Sequence, residues 1–135
     1  IFPGFDHHGI EDPFVYSQPA PHIGADAVTY HAIFHDHSSI GGHAFSRDAV
    51  SWTYSTTVPF NATVAYEDGS SVVLQRRERP HLIFDDAGFI THLTSGAQPP
   101  PSARKSPPVG FQNDFTYTLV QPVRRQATSR DVPHA

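Results

Sequence analysis

The sequence predicts an all-β protein built from antiparallel sheets. The helix signal is weak, because 13 prolines and 9 glycines interrupt nearly every window long enough for three helical turns. Short segments rich in β-branched and aromatic residues recur along the chain instead. Polar turn sequences such as Glu67-Asp68-Gly69-Ser70 separate these segments. Short strands at this spacing are typical of an antiparallel all-β architecture.

The strand segments can be justified in chain order. The first is short and apolar, the second is β-branched and aromatic, the third follows the Gly41-Gly42 pair, and the fourth is rich in threonine and tyrosine. The next two flank the turn at residues 67–70, and an apolar run then ends at Asp85-Asp86-Ala87-Gly88. Two β-rich segments complete the set. We expect strands at residues 13–17, 28–37, 43–46, 52–58, 62–66, 71–75, 81–84, 89–93 and 115–120.

Length and composition bound the domain organisation. A chain of 135 residues is about one domain, and we expect that domain to span residues 1–123. Residues 97–110 are rich in proline and predict an extended surface connection, and residues 124–135 predict an irregular tail. The chain opens on Ile1-Phe2-Pro3 without methionine, so we expect it to be a processed or excised piece of a longer polypeptide.

Charge and residue usage exclude several classes of function. The net charge of −4 argues against a general nucleic-acid-binding protein. The absence of cysteine excludes a disulfide framework and a thiolate metal site. No apolar run reaches the roughly 20 residues that a membrane-spanning helix needs. Asn61-Ala62-Thr63 fits the acceptor pattern for N-glycosylation, which applies to a secreted protein.

Five phrases of the sequence resemble a known family in their order along the chain. They are EDPFVY (11–16), YHAIFHD (30–36), GGHAFSRDAVSW (41–52), RRERPHLIFDDAG (76–88) and FTYTLVQPV (115–123). Their order resembles the C-terminal portion of a five-bladed β-propeller glycoside hydrolase of the family 43 type. The resemblance covers about residues 10–123 and implies two to three blades of a partial propeller. Within it, SRDAVSW is similar to the phrase that closes a blade, which implies a packing role for Trp52.

The resemblance implies catalytic residues and a substrate class. The family uses a base on an early blade, an aspartate that tunes the pKa of the acid, and a general-acid glutamate. Asp12 matches the tuning aspartate and Glu78, followed by Pro80, resembles the acid, whereas the base has no match and is expected upstream of Ile1. The implied activity is inverting hydrolysis of a plant- or microbe-type polysaccharide by an extracellular or secreted protein.

The residues around Glu78 leave its role open. A proton-donating glutamate must be protonated at working pH, whereas neighbouring arginines favour the ionised form. Alternation along an extended segment turns Arg77 and Arg79 away from Glu78 and leaves Arg76 and Pro80 on its face. Glu78 is therefore either an inherited proton donor with Arg76 as a substrate-binding neighbour, or one member of a structural ion-pair cluster.

The histidines predict channel-lining or metal-binding positions. Alternation in HAIFHDH places His31, His35 and His37 on one face, and a tight turn at Gly41-Gly42 would bring His43 opposite His35. We therefore take His35, His43 and His81 as substrate-binding candidates. The family chemistry requires no cofactor, but His35 and His43 could hold a single calcium or zinc ion in the central channel, which would make the chain a histidine-based metal protein.

Two further functions remain open. Part of a propeller could keep the fold without the full set of acids and serve as an extracellular module that binds carbohydrate or assembles with itself. A partial propeller also exposes strand edges, and exposed edges invite pairing. We therefore expect a homo-oligomer, a filament or a complex with a complementary propeller-half chain.

Overall fold

A computed structural model describes residues 10–36, 40–100 and 116–124 of the chain. These residues form nine β-strands and no helix. The strands are β1 (Glu11–Pro19), β2 (Val28–Asp36), β3 (Ile40–Ser46), β4 (Trp52–Ser55), β5 (Thr63–Ala65), β6 (Ser71–Val73), β7 (Arg76–Phe84), β8 (Ile90–Gln98) and β9 (Tyr117–Pro122). The expected tail at residues 125–135 and most of the proline-rich segment lie outside the described residues.

The strands form three antiparallel sheets. Sheet A has the order β1-β2-β3-β4, sheet B the order β5-β6 and sheet C the order β7-β8-β9. Each strand pairs with its neighbour in sequence, which is the pattern that short polar turns produce. The all-β, antiparallel prediction is therefore confirmed, and none of the three sheets closes on itself within the described part of the chain.

Most strand boundaries differ from the prediction, and three of the differences affect the site. Strand β7 begins at Arg76 rather than at residue 81, because its proline lies on an edge strand at a bulge, where a missing N–H group is tolerated. Pro13 occupies an equivalent edge position in β1. Strand β8 continues through Ala97 and Gln98, so the first two residues of the predicted proline-rich connection belong to a central strand.

The same bulge occurs at Glu11-Asp12-Pro13 and at Glu78-Arg79-Pro80. In both strands the register slips between the glutamate and the residue three positions later. The central residue of each phrase adopts a left-handed backbone, with φ of 53° at Asp12 and 55° at Arg79. Such angles are uncommon outside glycine and cost free energy. The two bulges re-aim the side chains at one end of β1 and of β7.

Sheets A and C pack together through an apolar core. Ile33 of β2, Leu82 of β7 and Leu93 of β8 are buried in one cluster with Phe60 from the segment between β4 and β5. Phe14 and Tyr16 of β1 pack against this cluster. The opposite face of sheet A buries Ala32, Phe34 and Ala44, with Trp52 and Tyr54 packed against them. The packing role expected for Trp52 is confirmed.

Gly41 and Gly42 lie inside β3 rather than in a turn. A Cβ atom at Gly41 would lie 2.4 Å from the Phe60 ring, and one at Gly42 would lie 2.1 Å from the Phe34 ring. Glycine is therefore required here for close packing of two aromatic rings on opposite sides of the strand. The predicted turn at these residues is wrong.

Arg77 is a buried cation that joins sheet C to the segment before β5. Its side chain is 1% exposed. Its Nε donates to Ser95 Oγ at 3.1 Å, Nη1 to the Asn61 carbonyl at 3.0 Å and Nη2 to Gln121 Oε1 at 2.8 Å. The guanidinium also lies 5.0 Å from the centre of the Phe60 ring. Phe60 in turn accepts a backbone hydrogen bond from Gly41 of sheet A.

Helices able to span a membrane are absent from the described residues, none of which are helical.

Candidate functional site

The outer face of sheet C carries an open groove of about 450 Å³ beside Glu78. Strand β7 contributes Arg76, Glu78 and Arg79 to its lining. Gly96 of β8 is paired with both Glu78 and Thr118. Because glycine has no side chain, the floor of the groove at this position is formed by the backbone. The remaining lining residues come from β8 and from the start of β9: Thr94, Ser95, Ala97, Gln98, Thr116 and Tyr117. A volume of this size falls in the range of small-molecule sites.

Alternation along β7 separates the groove from the core. Arg77 points inward to its three hydrogen-bond acceptors, and Glu78 points outward with 27% of its side chain exposed. The prediction that Arg77 and Arg79 avoid the side of Glu78 while Arg76 shares it is confirmed for Arg77 and Arg76. It is wrong for Pro80, which is buried, because the bulge after Glu78 shifts the alternation by one residue.

Two loose ion pairs lie at this end of β7, and one of them reaches β1. Arg76 Nη1 lies 3.8 Å from Glu78 Oε1, and Arg79 Nε lies 3.9 Å from Asp12 Oδ2. Both distances exceed hydrogen-bond length. The arginines are 61% and 78% exposed. Arg79 follows Glu78 directly and contacts Asp12, so the two predicted acids, 66 positions apart (78 − 12), lie at neighbouring strand ends.

Asp12 belongs to a small polar cluster at the end of β1 and β2. Ligand atoms of Glu11, Asp12 and His35 lie within 4.8 Å of one another. Glu11 and His35 are directly paired across the two strands, and the bulge turns Asp12 toward them. The two acids are exposed and the histidine is half-buried. Carboxylate and imidazole groups could hold a cation here, although exposed acidic groups are common without one.

His43 contacts a different histidine from the one that the sequence predicted. His43 is paired with Ile33, whereas His35 is paired with Gly41. The predicted pairing is wrong because Gly41 and Gly42 extend β3 instead of forming the turn. His43 Nε2 lies 3.1 Å from His31 Nδ1, and the ring planes differ by only 12°. The proposed His35–His43 metal pair is therefore replaced by a hydrogen-bonded His31–His43 pair.

Burial shapes the protonation of this histidine pair. Desolvation lowers the pKa of His43, and desolvation followed by the charge of His43 lowers the pKa of His31. Tyr16 stacks on His31 with a centroid distance of 5.1 Å, and burial raises the pKa of that tyrosine. Both lowered pKa values favour the neutral imidazole, as expected for half-buried rings that form a hydrogen bond with each other.

The other predicted contact residues lie apart from the groove. His81 packs on Phe14 with a centroid distance of 3.9 Å and does not line the groove. Phe34 is buried in the core and Phe14 and Phe84 pack against it, whereas Phe45 is 38% exposed. Asn61 is exposed, and its Oδ1 accepts a hydrogen bond from the Thr63 backbone N–H at 2.8 Å. The asparagine of the predicted N-glycosylation pattern is therefore accessible to solvent.

The phrase SRDAVSW forms a tightly bonded turn between β3 and β4. Asp48 Oδ1 accepts from the Ser51 and Val50 backbone N–H groups and from the Ser46 hydroxyl. These bonds, led by that of Ser51, hold the pKa of Asp48 well below its usual range. Ala49 has φ of 60° and its carbonyl accepts from Trp52 Nε1. This aspartate serves the turn, not the groove.

Sequence reasoning missed three residues that matter for these sites. Arg79 was expected to point away from the face of Glu78, but it lines the same groove, and the bulge turns it to Asp12. His31 was placed on the correct face, yet its contact with His43 depends on the register between β2 and β3. Gly96 carried no signal, because its importance comes from its place between β7 and β9.

Comparison of the chain with protein-family models, with curated proteins and with solved structures finds no match.

Proposed function

We propose that the chain is a carbohydrate-binding β-propeller module of the family 43-like glycosidase type, with its sugar in the groove beside Glu78. The observation that carries the proposal is the groove itself. It combines one carboxylate, two arginines, hydroxyl groups and an amide on an open sheet face. Such groups provide the hydrogen bonds that orient a polyhydroxylated ligand in a site of this size.

The arrangement of sheets supports the propeller part of the proposal. Sheet A is a four-stranded antiparallel meander, which is the topology of one propeller blade. The end of β1 in sheet A and the groove on sheet C are bridged by Arg79 and Asp12. In a propeller, adjacent blades place such strand ends around one ligand site.

Binding is better supported than catalysis. An inverting glycosidase needs a protonated donor and a second carboxylate about 6.5–9.5 Å away that activates water. Glu78 forms a loose ion pair with Arg76 at 3.8 Å, and none of the described residues that line the groove is a second carboxylate able to activate water. The enzyme remains the second candidate because Arg79 brings Asp12 to the neighbourhood of Glu78, where the proposed roles are proton donor for Glu78 and positioning residue for Asp12.

Self-assembly is a further proposal that one strand edge supports. The outer edge of β9 has no partner among the described strands, and residues 116–123 contain no charged side chain that would discourage pairing. Light scattering over a range of concentrations should show dimers or larger species. A single monomeric mass at every concentration would contradict self-assembly and leave sugar binding untouched.

The sugar-binding proposal is tested by titrating the protein with xylo- and arabino-oligosaccharides and measuring calorimetric affinity and reducing-sugar release. Glu78→Gln keeps the side-chain shape and removes the charge, and should weaken binding about tenfold, since a hydrogen bond to a charged group contributes about 1.5–3 kcal/mol. Asp12→Asn acts through Arg79 and should weaken it only a few-fold. Glu67→Gln, in the exposed β5–β6 turn, is the matched control and should bind as the parent does.

The same titrations separate the two candidate functions. Binding without sugar release identifies a binding module, and release that disappears in Glu78→Gln identifies an enzyme. Circular dichroism should show equal strand content in all variants. Absence of binding to every oligosaccharide tested, in a folded parent protein, would sink the carbohydrate assignment.

A further inference from the structure

The groove beside Glu78 is a local cationic surface on an acidic protein. The chain has a formal net charge of −4, yet the groove lining contains two arginines and one glutamate. Arg76 and Arg79 lie on either side of Glu78 on β7, and both side chains are more exposed than the glutamate. A sugar entering the groove therefore meets guanidinium groups first.

Neither guanidinium is fully engaged by its acidic neighbour. Only Nη1 of Arg76 and Nε of Arg79 approach a carboxylate, at 3.8 and 3.9 Å, which is beyond hydrogen-bond length. In the described part of the chain the remaining N–H groups of the two arginines have no other hydrogen-bond acceptor. A guanidinium presents up to five donors in a planar fork that matches two oxygens of one oxyanion.

Arg77 lies between Arg76 and Arg79 in the same strand and provides a comparison, because all three nitrogen atoms of its guanidinium donate hydrogen bonds within the protein. It donates three hydrogen bonds of 2.8 to 3.1 Å and is buried. Arg76 and Arg79 have neither the burial nor the short contacts that would account for them as structural residues. Their position on the groove wall gives them a ligand-binding role instead.

We propose that the ligand of this groove is an anionic glycan, whose carboxylate or sulfate group is bound by the guanidinium groups of Arg76 and Arg79. The inference rests on the proposed sugar binding and names the class of sugar. Glu78 then accepts a hydrogen bond from an uncharged sugar hydroxyl, because a sugar carboxylate next to it would be repelled. The shared chemistry is an oxyanion on a sugar ring, and uronates and sulfated sugars are its two sources.

A matched pair of ligands tests the charge preference. Calorimetry in low salt compares trigalacturonate with its methyl ester, which has the same backbone without the negative charges. The acid should bind about two- to thirtyfold more tightly, since an exposed ion pair contributes about 0.2–1 kcal/mol and two arginines take part. The preference should shrink as salt is raised. A sulfated galacto-oligosaccharide and its desulfated counterpart form the second arm.

Arginine variants locate the preference. Arg76→Gln and Arg79→Gln should each lose more affinity for the acid than for the methyl ester, so that the ratio of the two affinities falls several-fold, and the double variant should bring this ratio to about one. Arg47→Gln, an exposed arginine outside this groove, is the control and should keep the full preference. An equal loss in Arg47→Gln would show diffuse attraction and overturn the proposal.

The outcomes distinguish this inference from the proposed function. Equal binding of acid and ester in both arms overturns the anionic preference and leaves sugar binding intact. A preference in only one arm supports the proposal and identifies uronate or sulfate as the source. Failure of charged and uncharged sugars alike, including the xylo- and arabino-oligosaccharides, removes both proposals.

Discussion

Arg77 and Glu78 are neighbours in sequence with opposite surroundings. Arg77 lies in the core with three hydrogen bonds to neutral acceptors, and Glu78 lies in an open groove with one ion pair of 3.8 Å. Alternation along β7 puts one charge inside and the next outside. The comparison teaches that a cluster of charges in sequence can be divided by a strand into a structural part and a part that is available to a ligand.

The division explains which part of the chain each charge stabilises. Arg77 connects the segment before β5 with β8 and β9, so its loss affects all of sheet C and the docking of sheet B. Arg76 and Arg79 make long, exposed contacts of the kind that contribute little to stability. Stability should therefore depend on the inner arginine, and ligand affinity on the outer residues.

The largest expected effect is on the inner side of this comparison. Arg77→Met keeps the apolar stem but leaves Ser95 Oγ, the Asn61 carbonyl and Gln121 Oε1 without their donor. Because each unsatisfied buried group costs about 1–3 kcal/mol, the free energy of unfolding should fall by about 3 kcal/mol. Urea unfolding monitored by Trp52 fluorescence measures it. Arg76→Met is the matched control and should change stability by less than about 0.5 kcal/mol.

Equal losses of unfolding free energy in Arg77→Met and Arg76→Met would contradict the proposed difference between the inner and outer faces of β7. Arg77→Lys sharpens it, because lysine keeps the charge but lacks the planar fork that reaches three acceptors. The free energy of unfolding of Arg77→Lys should lie between those of the parent and of Arg77→Met. A lysine variant as stable as the parent would show that charge, not geometry, is what the core requires.

The sequence predicted the fold class well because the signals for strands are local. Turn residues at 67–70 and 85–88 and the β-branched runs between them required no knowledge of tertiary contacts. The boundaries of β7 and β8 were missed because an edge strand tolerates Pro80 at a bulge, which depends on the partner strand. Gly41 and Gly42 were read as a turn because glycine marks both turns and close ring packing.

The candidate site was predictable only in part. Glu78 and Asp12 were identified from their phrases, and the link between them through Arg79 came from two bulges whose effect on side-chain direction is invisible in an alternation pattern. The predicted contact between His35 and His43 was wrong for a related reason. The expected β2–β3 pairing is off by two residues, so His43 faces Ile33 instead of His35 and forms its hydrogen bond with the diagonal neighbour His31.

An intermediate effect on the free energy of unfolding is expected at a position with backbone strain. Ala49 has φ of 60°, a left-handed conformation that costs an L-residue roughly 1–2 kcal/mol relative to glycine. Ala49→Gly should therefore raise the free energy of unfolding by up to about 1 kcal/mol, after the entropy that glycine adds to the unfolded chain is subtracted. Ala27→Gly, in the loop before β2, is the control and should not stabilise the protein.

The Ala49 variant also sharpens the inner–outer comparison. Arg79 has the same backbone strain, with φ of 55°, but its side chain contacts Asp12 and lines the groove. If strain alone mattered, Arg79→Gly would stabilise the protein as Ala49→Gly does, and it should also weaken binding of anionic sugars. A destabilised Ala49→Gly protein would show that the turn needs the methyl group more than it needs relief from strain.

The smallest expected effect concerns the half-buried His31–His43 pair, which belongs to the structural side of the comparison. Burial lowers the pKa of both histidines in the folded state, so the unfolded chain binds more protons just below pH 6.5. The contribution of the pair to stability is thus fully present above about pH 6.5, the pKa of an unperturbed histidine, and is lost as pH falls through the lowered folded values. Urea unfolding at several pH values between 7.5 and 5 measures this loss.

Replacing one member of the pair isolates its share of the pH dependence. His43→Gln keeps a hydrogen-bonding group 3.1 Å from His31 and removes one titrating ring and its charge, so stability should decline less steeply with falling pH than in the parent. His92→Gln, outside the pair and bonded to Thr91, should follow the parent curve. Parallel curves for all three proteins would mean that the pair is too exposed to couple folding to pH.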